Sequence, residues 1–309
     1  MYSMIGWLVQ SSIARMILFG WTQWVRLKYR RKGFAFLARI LANLPLSLNH
    51  KIYHNFLLSS IAEDEYCANR LLRDYWTNGL ETLYELLIEM PHSGIDWERI
   101  RSVNIEAIEE ARRAGKGVII YASHQSNFFW AYAYLSERYP CQTVVTSSSP
   151  ELQPIYYMFR DLGYDGLDYD QTPPTKLFHT LSAHLRQNGV VFLLGDFYRR
   201  NFPESQLFGL PNRAPAGAFK LAQMNESPIL PLWIKRDHEG TIELTIADPI
   251  EQPTRNKLSR TIEDAIRRCP EQWFYWFQLD ERWREASELK RSEELLTDDW
   301  IATTNLEKP

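Results

Sequence analysis

The chain is predicted to be an α/β protein with a mostly parallel central sheet flanked by helices and a helical, membrane-associating N-terminal region. Residues 118–122 and 190–194 are apolar or aromatic throughout, which is typical of strands buried on both faces of a parallel sheet. Segments with helical spacing separate these strands, and such alternation produces a parallel sheet with right-handed crossovers. A hydrophobic content of 45% over 309 residues is enough for a sizeable core.

The predicted elements follow one another along the chain. Apolar residues recur at helical spacing from residue 33 to about 115, where Gly115 and Gly117 end the last of these helices. Strands are then predicted at 118–122, 143–146, 190–194, 229–234 and 242–246. Helices are predicted near 127–137, 151–162, 175–188, 215–223 and 257–268. No repeat or low-complexity linker divides this series, so we expect one α/β domain over residues 63–309 after a basic, apolar helical region over residues 1–62.

Charge is segregated between these two regions. Residues 1–62 contain eight Arg or Lys residues and no Asp or Glu, and therefore carry a formal charge of +8. Since the whole chain carries −3, residues 63–309 carry −11. The near-neutral balance of the whole chain argues against a dedicated nucleic-acid-binding protein, which normally has a strongly basic face, so no nucleic-acid partner is expected.

The first 25 residues are predicted to contact a membrane surface. Their only charged residue is Arg15, and a basic cluster at residues 26–32 follows them, which is the reverse of the order in a signal peptide. A central Arg is costly in a spanning helix, and tryptophans favour the headgroup level, here Trp7, Trp21 and Trp24. We expect an interfacial or shallowly inserted helix on an anionic leaflet. The alternative is a soluble helix that packs its apolar residues into the domain.

Polar residues follow two of the predicted strands, at the edge where sheets of this kind bind ligands. Residues 123–127, after the first strand, are Ser123, His124, Gln125, Ser126 and Asn127. Asp196 and Arg199 come shortly after strand 190–194. Burying such groups costs several kcal/mol unless they find partners, which favours a functional site. The alternative is a helix N-cap formed by Ser126 or Asn127 beside a hydrogen-bonded core histidine.

Several other classes of site are disfavoured. The three cysteines are far apart and form no CxxC pair, and no dinucleotide-binding, P-loop or HExxH pattern is present. A Gly-x-Ser-x-Gly elbow is also absent, which argues against an α/β hydrolase. We therefore expect neither a metal nor a cofactor.

Further motifs complete a recognisable order over about residues 100–284. After His124 and Asp196 come Phe208-Gly209, a block from Ala214 to Lys220, and Pro270-Glu271-Gln272-Trp273 followed by Arg282 and Arg284. In this order the chain resembles the bacterial lipid A biosynthesis (lauroyl/myristoyl) acyltransferases and the related phosphatidylinositol mannoside acyltransferases, within the lysophospholipid acyltransferase superfamily.

The resemblance implies an acyltransferase that moves an acyl group from a thioester of acyl carrier protein or CoA to a hydroxyl or amine acceptor. It implies a place at the cytoplasmic face of the inner membrane, peripheral or held by a single N-terminal anchor. The general base would be His124. The family has an acid five residues after this histidine, but residue 129 here is Phe. The family's Arg after the second strand is also missing near residues 146–149.

Three hypotheses accommodate Phe129. Asp196 supports His124 from a neighbouring strand; or an easily activated acceptor, such as an amine, needs only a lone histidine; or the protein binds an acyl carrier or lipid without turnover. Since the residues around His124 remain polar, we favour an active transferase with an altered dyad.

Aromatic residues near His124 suit an acyl chain or a pantetheine arm, although core packing explains them too. Basic residues near Asp196 suit phosphates or an acidic carrier protein, although a solvated basic rim explains them equally well. The predicted substrate-binding residues are Ser123, Gln125, Ser126, Asn127, Phe129, Arg199, Phe208, Gly209, Arg213 and Lys220.

Overall fold

A computed structural model describes residues 19–20, 27–147 and 153–290 of the protein. Its helices are Leu27–Asn43 (α1), Ser47–Leu58 (α2), Glu65–Tyr84 (α3), Met90–Ser93 (α4), Glu106–Arg112 (α5), Phe128–Ser136 (α6), Gln153–Asp161 (α7), Pro174–Arg186 (α8), Gly217–Asn225 (α9) and Arg255–Arg268 (α10). A π-helical turn, Glu85–Glu89, extends α3, and two 3₁₀ turns, Pro270–Gln272 and Phe274–Gln278, precede a helix at residues 279–290.

The strands are Ile100–Val103 (β1), Val118–Ala122 (β2), Cys141–Val145 (β3), Leu167–Asp168 (β4), Val190–Leu194 (β5), Glu204–Leu207 (β6), Leu210–Arg213 (β7), Ile229–Arg236 (β8) and Ile242–Ile246 (β9). Seven of them form one sheet in the order β1-β9-β8-β2-β5-β3-β4, and β6 and β7 form a separate hairpin. Every pairing in the large sheet is parallel except that of β8 with β9. The predicted fold class, a mostly parallel sheet flanked by helices, is confirmed.

The central strand β2 shows why its sequence is apolar at every position. Val118 and Ile120 pack into one apolar cluster, which lies on the α6 side of the sheet. Ile119 and Tyr121, which alternate with them, pack into a second cluster with α2, α8 and α10. Because successive side chains of a strand point to opposite faces, a strand covered on both faces needs apolar residues at each position.

One part of the predicted order is wrong. Residues 33–115 were expected to be helical, but β1 lies within this segment at Ile100–Val103 and pairs with Ile242–Thr245 of β9. A four-residue strand at the edge of a sheet is too short to produce a recognisable period, and its pairing partner lies about 140 residues away in the chain. The short strand β4 and the β6–β7 hairpin were likewise not predicted.

The N-terminal helices pack against the rest of the fold. Ile52 and Phe56 of α2 are fully buried in the cluster that contains Ile119, and Arg31 of α1 donates to Glu81 of α3 at 2.5 Å. Most of the predicted interfacial helix, residues 1–18 and 21–25, lies outside the described residues. None of the helices described here is long and apolar enough to cross a membrane. The division of the chain at residue 62 stays a prediction.

Candidate active site

The register of two neighbouring strands brings the first two candidate residues together. Ala122 of β2 pairs with Leu194 of β5, so His124 and Asp196, each two residues further along, emerge side by side at the carboxyl edge of the sheet. The Gly195 N–H continues the ladder by donating to the Ala122 carbonyl at 2.8 Å. A Cβ atom at Gly195 would lie 2.0 Å from the hydroxyl of the buried Tyr121, so a larger residue here would have to displace that ring.

The Asp196 carboxylate orients the His124 ring. One of its oxygens, Oδ1, lies 2.7 Å from His124 Nδ1. The other, Oδ2, accepts from the His124 backbone N–H at 2.9 Å and from Trp273 Nε1 at 2.7 Å. The Asp196 side chain is completely buried. Since an ionised carboxylate only accepts, the Nδ1 atom donates to Oδ1, and in the tautomer that this contact selects Nε2 is the nitrogen with the lone pair.

The Asp196 carboxylate is ionised despite its burial. Burial by itself would raise the pKa of Asp196, but the adjacent His124 and three N–H donors hold that pKa below its ordinary value. In addition, Arg282 donates to the Asp196 backbone carbonyl at 2.9 Å. The arrangement is therefore a His–carboxylate dyad assembled from two strands rather than from one helix turn.

The rest of the His124 ring is enclosed by aromatic side chains. Phe128 and Tyr275 each approach it edge-on, with ring centroids 4.8 Å away. The Tyr275 hydroxyl lies 3.5 Å from Nε2. The His124 side chain is 13% exposed, so the ring is largely desolvated but still reachable from solvent.

An apolar cavity of about 200 Å³ opens beside His124. Strands β3 and β5 and helices α8 and α9 supply most of its wall, for example Val144, Leu193, Phe178, Leu181 and Leu221. Among the predicted site residues, His124 is the one that lines it. Sequence reasoning missed this cavity, because its wall comes from four elements that are individually typical of core packing.

The predicted residues next to His124 are buried and bonded to the protein. Gln125 donates to the Ala265 and Cys269 carbonyls at 3.1 and 3.2 Å, and Ser123 donates to Gln125 at 2.5 Å. Ser126 adopts a positive φ of 50° and donates its backbone N–H to the Gln272 carbonyl at 3.0 Å.

Asn127 caps α6 by accepting from the Trp130 N–H at 3.2 Å, so the N-cap considered from the sequence is present alongside the dyad. Together, the hydrogen bonds of Ser123, Gln125, Ser126 and Asn127 hold the loop that carries His124.

Phe129, at the position where the family has an acid, lies on α6 and is turned toward other aromatic rings. Its ring stacks on Phe128 with centroids 4.4 Å apart and meets Phe159 edge-on at 5.4 Å. It is half-buried against the apolar cluster on the α6 side of the sheet. The carboxylate that faces Nδ1 thus comes from Asp196 and not from residue 129.

The remaining predicted residues are spread around the cavity side of the sheet. Arg199 pairs with Asp170 at 2.7 Å, and the buried Arg213 donates to the Phe202 carbonyl at 3.1 Å.

Phe208 and Gly209 both have positive φ and form the β6–β7 turn. The centroid of the Phe208 ring lies 5.7 Å from that of Trp276, on which it stacks. Lys220 is exposed on α9. Their substrate-binding roles stay predictions.

A second buried charge cluster, which sequence reasoning missed, supports the other end of the same loop. Asn127 Nδ2 donates to Glu85 at 2.9 Å, and Glu85 also pairs with Arg236 at 2.7 Å and with Arg99. Burial would raise the pKa of Glu85, but the charges of Arg236 and Arg99 hold that pKa below its ordinary value. Glu85 lies in the π-helical turn, whose local sequence ELLIE gave no sign of an ion pair with β8.

The thiols of Cys141 and Cys269 are disfavoured as nucleophiles. Burial raises the pKa values of the Cys141 and Cys269 thiols to about 12, so both remain protonated and unreactive at neutral pH. In the part of the chain that the structure covers, no group of three or more His, Cys, Asp or Glu side chains is arranged to hold a metal ion.

The known proteins that this chain matches are described as acyltransferases. The family model "Bacterial lipid A biosynthesis acyltransferase" matches residues 18–285. A phosphatidylinositol mannoside acyltransferase of Mycobacterium tuberculosis is 32% identical over 135 residues, 41% of each chain. One from Mycolicibacterium smegmatis is 28% identical over 151 residues, 46% of this chain and 49% of that protein. The matched part thus spans less than half the length of these relatives.

Among solved structures, the chain is similar to the 1-acyl-sn-glycerophosphate acyltransferase PlsC from Thermotoga maritima. The likeness covers 79% of this chain and 97% of that one, at 11% identity and a TM-score of 0.36. At these values it carries no weight in the assignment.

Proposed function

The chain belongs to the bacterial lipid A biosynthesis acyltransferase family, and we propose that it transfers an acyl group from a thioester donor to a lipid acceptor with His124 as general base. The prediction of an acyltransferase is confirmed at the level of the family. The observation that carries the mechanism is the His124–Asp196 pair at 2.7 Å, in which Nδ1 of a histidine that lines an apolar cavity is held by a buried carboxylate.

In the proposed reaction, Nε2 takes the proton of an acceptor hydroxyl or amine. The acceptor atom then bonds to the thioester carbonyl carbon and the carbon–sulfur bond breaks. The leaving thiolate accepts the proton from Nε2. The fixed Asp196 carboxylate stabilises the imidazolium that exists between these two proton transfers. In this scheme Asp196 takes the place of the acid that the family has at residue 129.

The cavity beside His124 is proposed to hold the acyl chain. Its wall is built from side chains such as Val144, Phe178 and Leu193, which favour a hydrocarbon over water. The donor is proposed to be an acyl thioester of acyl carrier protein or CoA, which serves as a substrate, and no cofactor is proposed. Turnover should therefore be unaffected by a metal chelator.

The partner surface is proposed to be an anionic membrane, at the cytoplasmic face of the inner membrane. Helix α1 exposes apolar side chains on one face, with Phe36 63%, Leu37 48% and Ile40 46% exposed. Lys32 and Arg39 are exposed on the same helix. Exposed apolar residues flanked by basic ones favour insertion at the headgroup level of an anionic leaflet.

A vesicle experiment tests this surface. The full chain should sediment with anionic vesicles more than with zwitterionic ones, and the double variant Phe36→Ser/Ile40→Ser should lose most of that binding. Met224→Ser, which changes an exposed apolar residue on α9, is the matched control. Equal binding by the double variant and the control would refute the proposed surface.

Thiol release tests the acyl transfer itself. Purified protein with acyl-carrier protein or acyl-CoA and a lipid acceptor should release free thiol, and His124→Ala should lower the rate by about 10²–10⁴-fold. His50→Ala, on α2, is the matched control and should keep the wild-type rate. An unaffected His124→Ala would remove the proposed base. Saturable donor binding without any thiol release would favour the non-catalytic carrier- or lipid-binding protein instead.

A further inference from the structure

Tyr275 lies against the one ring nitrogen of His124 that Asp196 leaves open. Its hydroxyl is 3.5 Å from Nε2, and its ring meets the imidazole edge-on. The residue is buried, and neither the family motif nor the sequence analysis gave it a role. A hydroxyl in this position adjoins the point where the acceptor must give up its proton.

The position of Tyr275 is fixed by the contacts that build the dyad. The preceding residue, Phe274, donates its backbone N–H to the His124 carbonyl at 2.9 Å. Trp273, one residue earlier, donates to the Asp196 carboxylate. The guanidinium carbon of Arg282 lies 4.2 Å from the centre of the Tyr275 ring. A donor held in this way needs little reorganisation when charge develops beside it.

The Tyr275 hydroxyl remains protonated at neutral pH. Burial raises the pKa of Tyr275 well above its ordinary value, the Asp196 charge adds to this increase, and Arg282 opposes it only in part. The group therefore serves as a neutral hydrogen-bond donor, and His124 is left as the base.

We propose that Tyr275 is a catalytic residue whose hydroxyl donates a hydrogen bond to the oxyanion formed when the acceptor attacks the thioester. This inference rests on the proposed function. The acceptor's proton goes to His124 Nε2, a bond forms from the acceptor to the carbonyl carbon, and the carbonyl oxygen takes the negative charge. Tyr275 keeps its proton throughout. When the carbon–sulfur bond breaks, the carbonyl re-forms and the thiolate takes the proton from Nε2.

The direct test is Tyr275→Phe, which removes the hydroxyl and keeps the ring. We expect kcat for thiol release to fall by about 10²–10³-fold, with KM for the donor changed less than about threefold, because the hydrogen bond exists only in the transition state. Tyr198→Phe is the matched control: its ring also lies beside Arg282, at 5.7 Å, and it should keep the wild-type kcat.

A second replacement protects the test against misfolding. Incorporation of 3-fluorotyrosine at position 275 retains the donor, so kcat should stay within about threefold of wild type. A Tyr275→Phe variant that keeps its kcat, or that changes KM alone, would overturn the inference. His124→Ala, assayed in parallel, separates the two claims. If His124→Ala is inactive while Tyr275→Phe is fully active, only the role of Tyr275 fails. If His124→Ala is fully active, the proposed function fails as well.

Discussion

Two buried carboxylates hold opposite ends of the same loop, and only one of them belongs to a site that can do chemistry. Glu85 binds the loop at Asn127, and its oxygens are occupied by Arg236, Arg99 and that amide. Asp196 binds the loop at His124, a residue that lines the apolar cavity. Removing Glu85 would leave buried guanidinium groups without their partner, which destabilises a fold, whereas Asp196 is paired with an imidazole whose second nitrogen can exchange a proton.

The largest expected effect on stability comes from removing the Glu85 carboxylate. Glu85→Ala leaves Arg236 buried without its main partner, so the free energy of unfolding should fall by about 3–5 kcal/mol in chemical denaturation. Glu243→Ala, which breaks a more exposed pair with Arg101, is the control and should cost less than about 1 kcal/mol. Equal losses in the two variants would break the contrast between the two carboxylates.

A smaller loss of stability is expected when the family's acid is restored. Phe129→Asp places a carboxylate among Phe128 and Phe159, so unfolding free energy should fall by about 1–3 kcal/mol. The rate of thiol release should not rise, since Asp196 already faces Nδ1. Phe129→Leu, which keeps the site apolar, serves as control. A several-fold gain in kcat for Phe129→Asp would mean that Asp196 is not the working partner of His124.

The smallest expected effect is on the pH dependence of stability. The pKa of Glu85 is lower in the folded chain than in the unfolded chain, so its contribution is present above the unfolded pKa and is lost as the pH falls through the folded value. Burial raises the pKa of Glu89, so its contribution to stability has the opposite sign and is lost as the pH rises through the folded value. Glu85→Gln should therefore flatten the loss of stability in acid and Glu89→Gln should steepen it, as measured by melting temperature between about pH 3 and 7. Identical profiles would contradict these assignments.

The sequence predicted those parts of the fold and site that depend on local pattern. Strands β2 and β5 are uniformly apolar, and polar residues directly follow them, so His124 and Asp196 could be found and their meeting anticipated from parallel pairing. The contact between them was one of three open hypotheses, because the local sequence of neither strand predicts the register that pairs Ala122 with Leu194.

The missing parts depend on residues that are distant in the chain. Trp273 and Tyr275 reach the dyad from about 150 residues after His124, and Arg236 reaches Glu85 across a similar separation. Such contacts leave no period in the local sequence. A short edge strand such as β1 is hidden for the same reason, since its partner β9 defines it.

The most direct test of the central claim, that Asp196 completes the His124 base, is kcat for thiol release in Asp196→Asn at saturating donor and acceptor. The amide oxygen must still accept from Trp273 and the His124 N–H, so the amide nitrogen will face Nδ1 and move the ring proton to Nε2. We predict that kcat falls by about 10²–10⁴-fold while donor binding persists. A wild-type kcat in a folded Asp196→Asn protein would contradict the account.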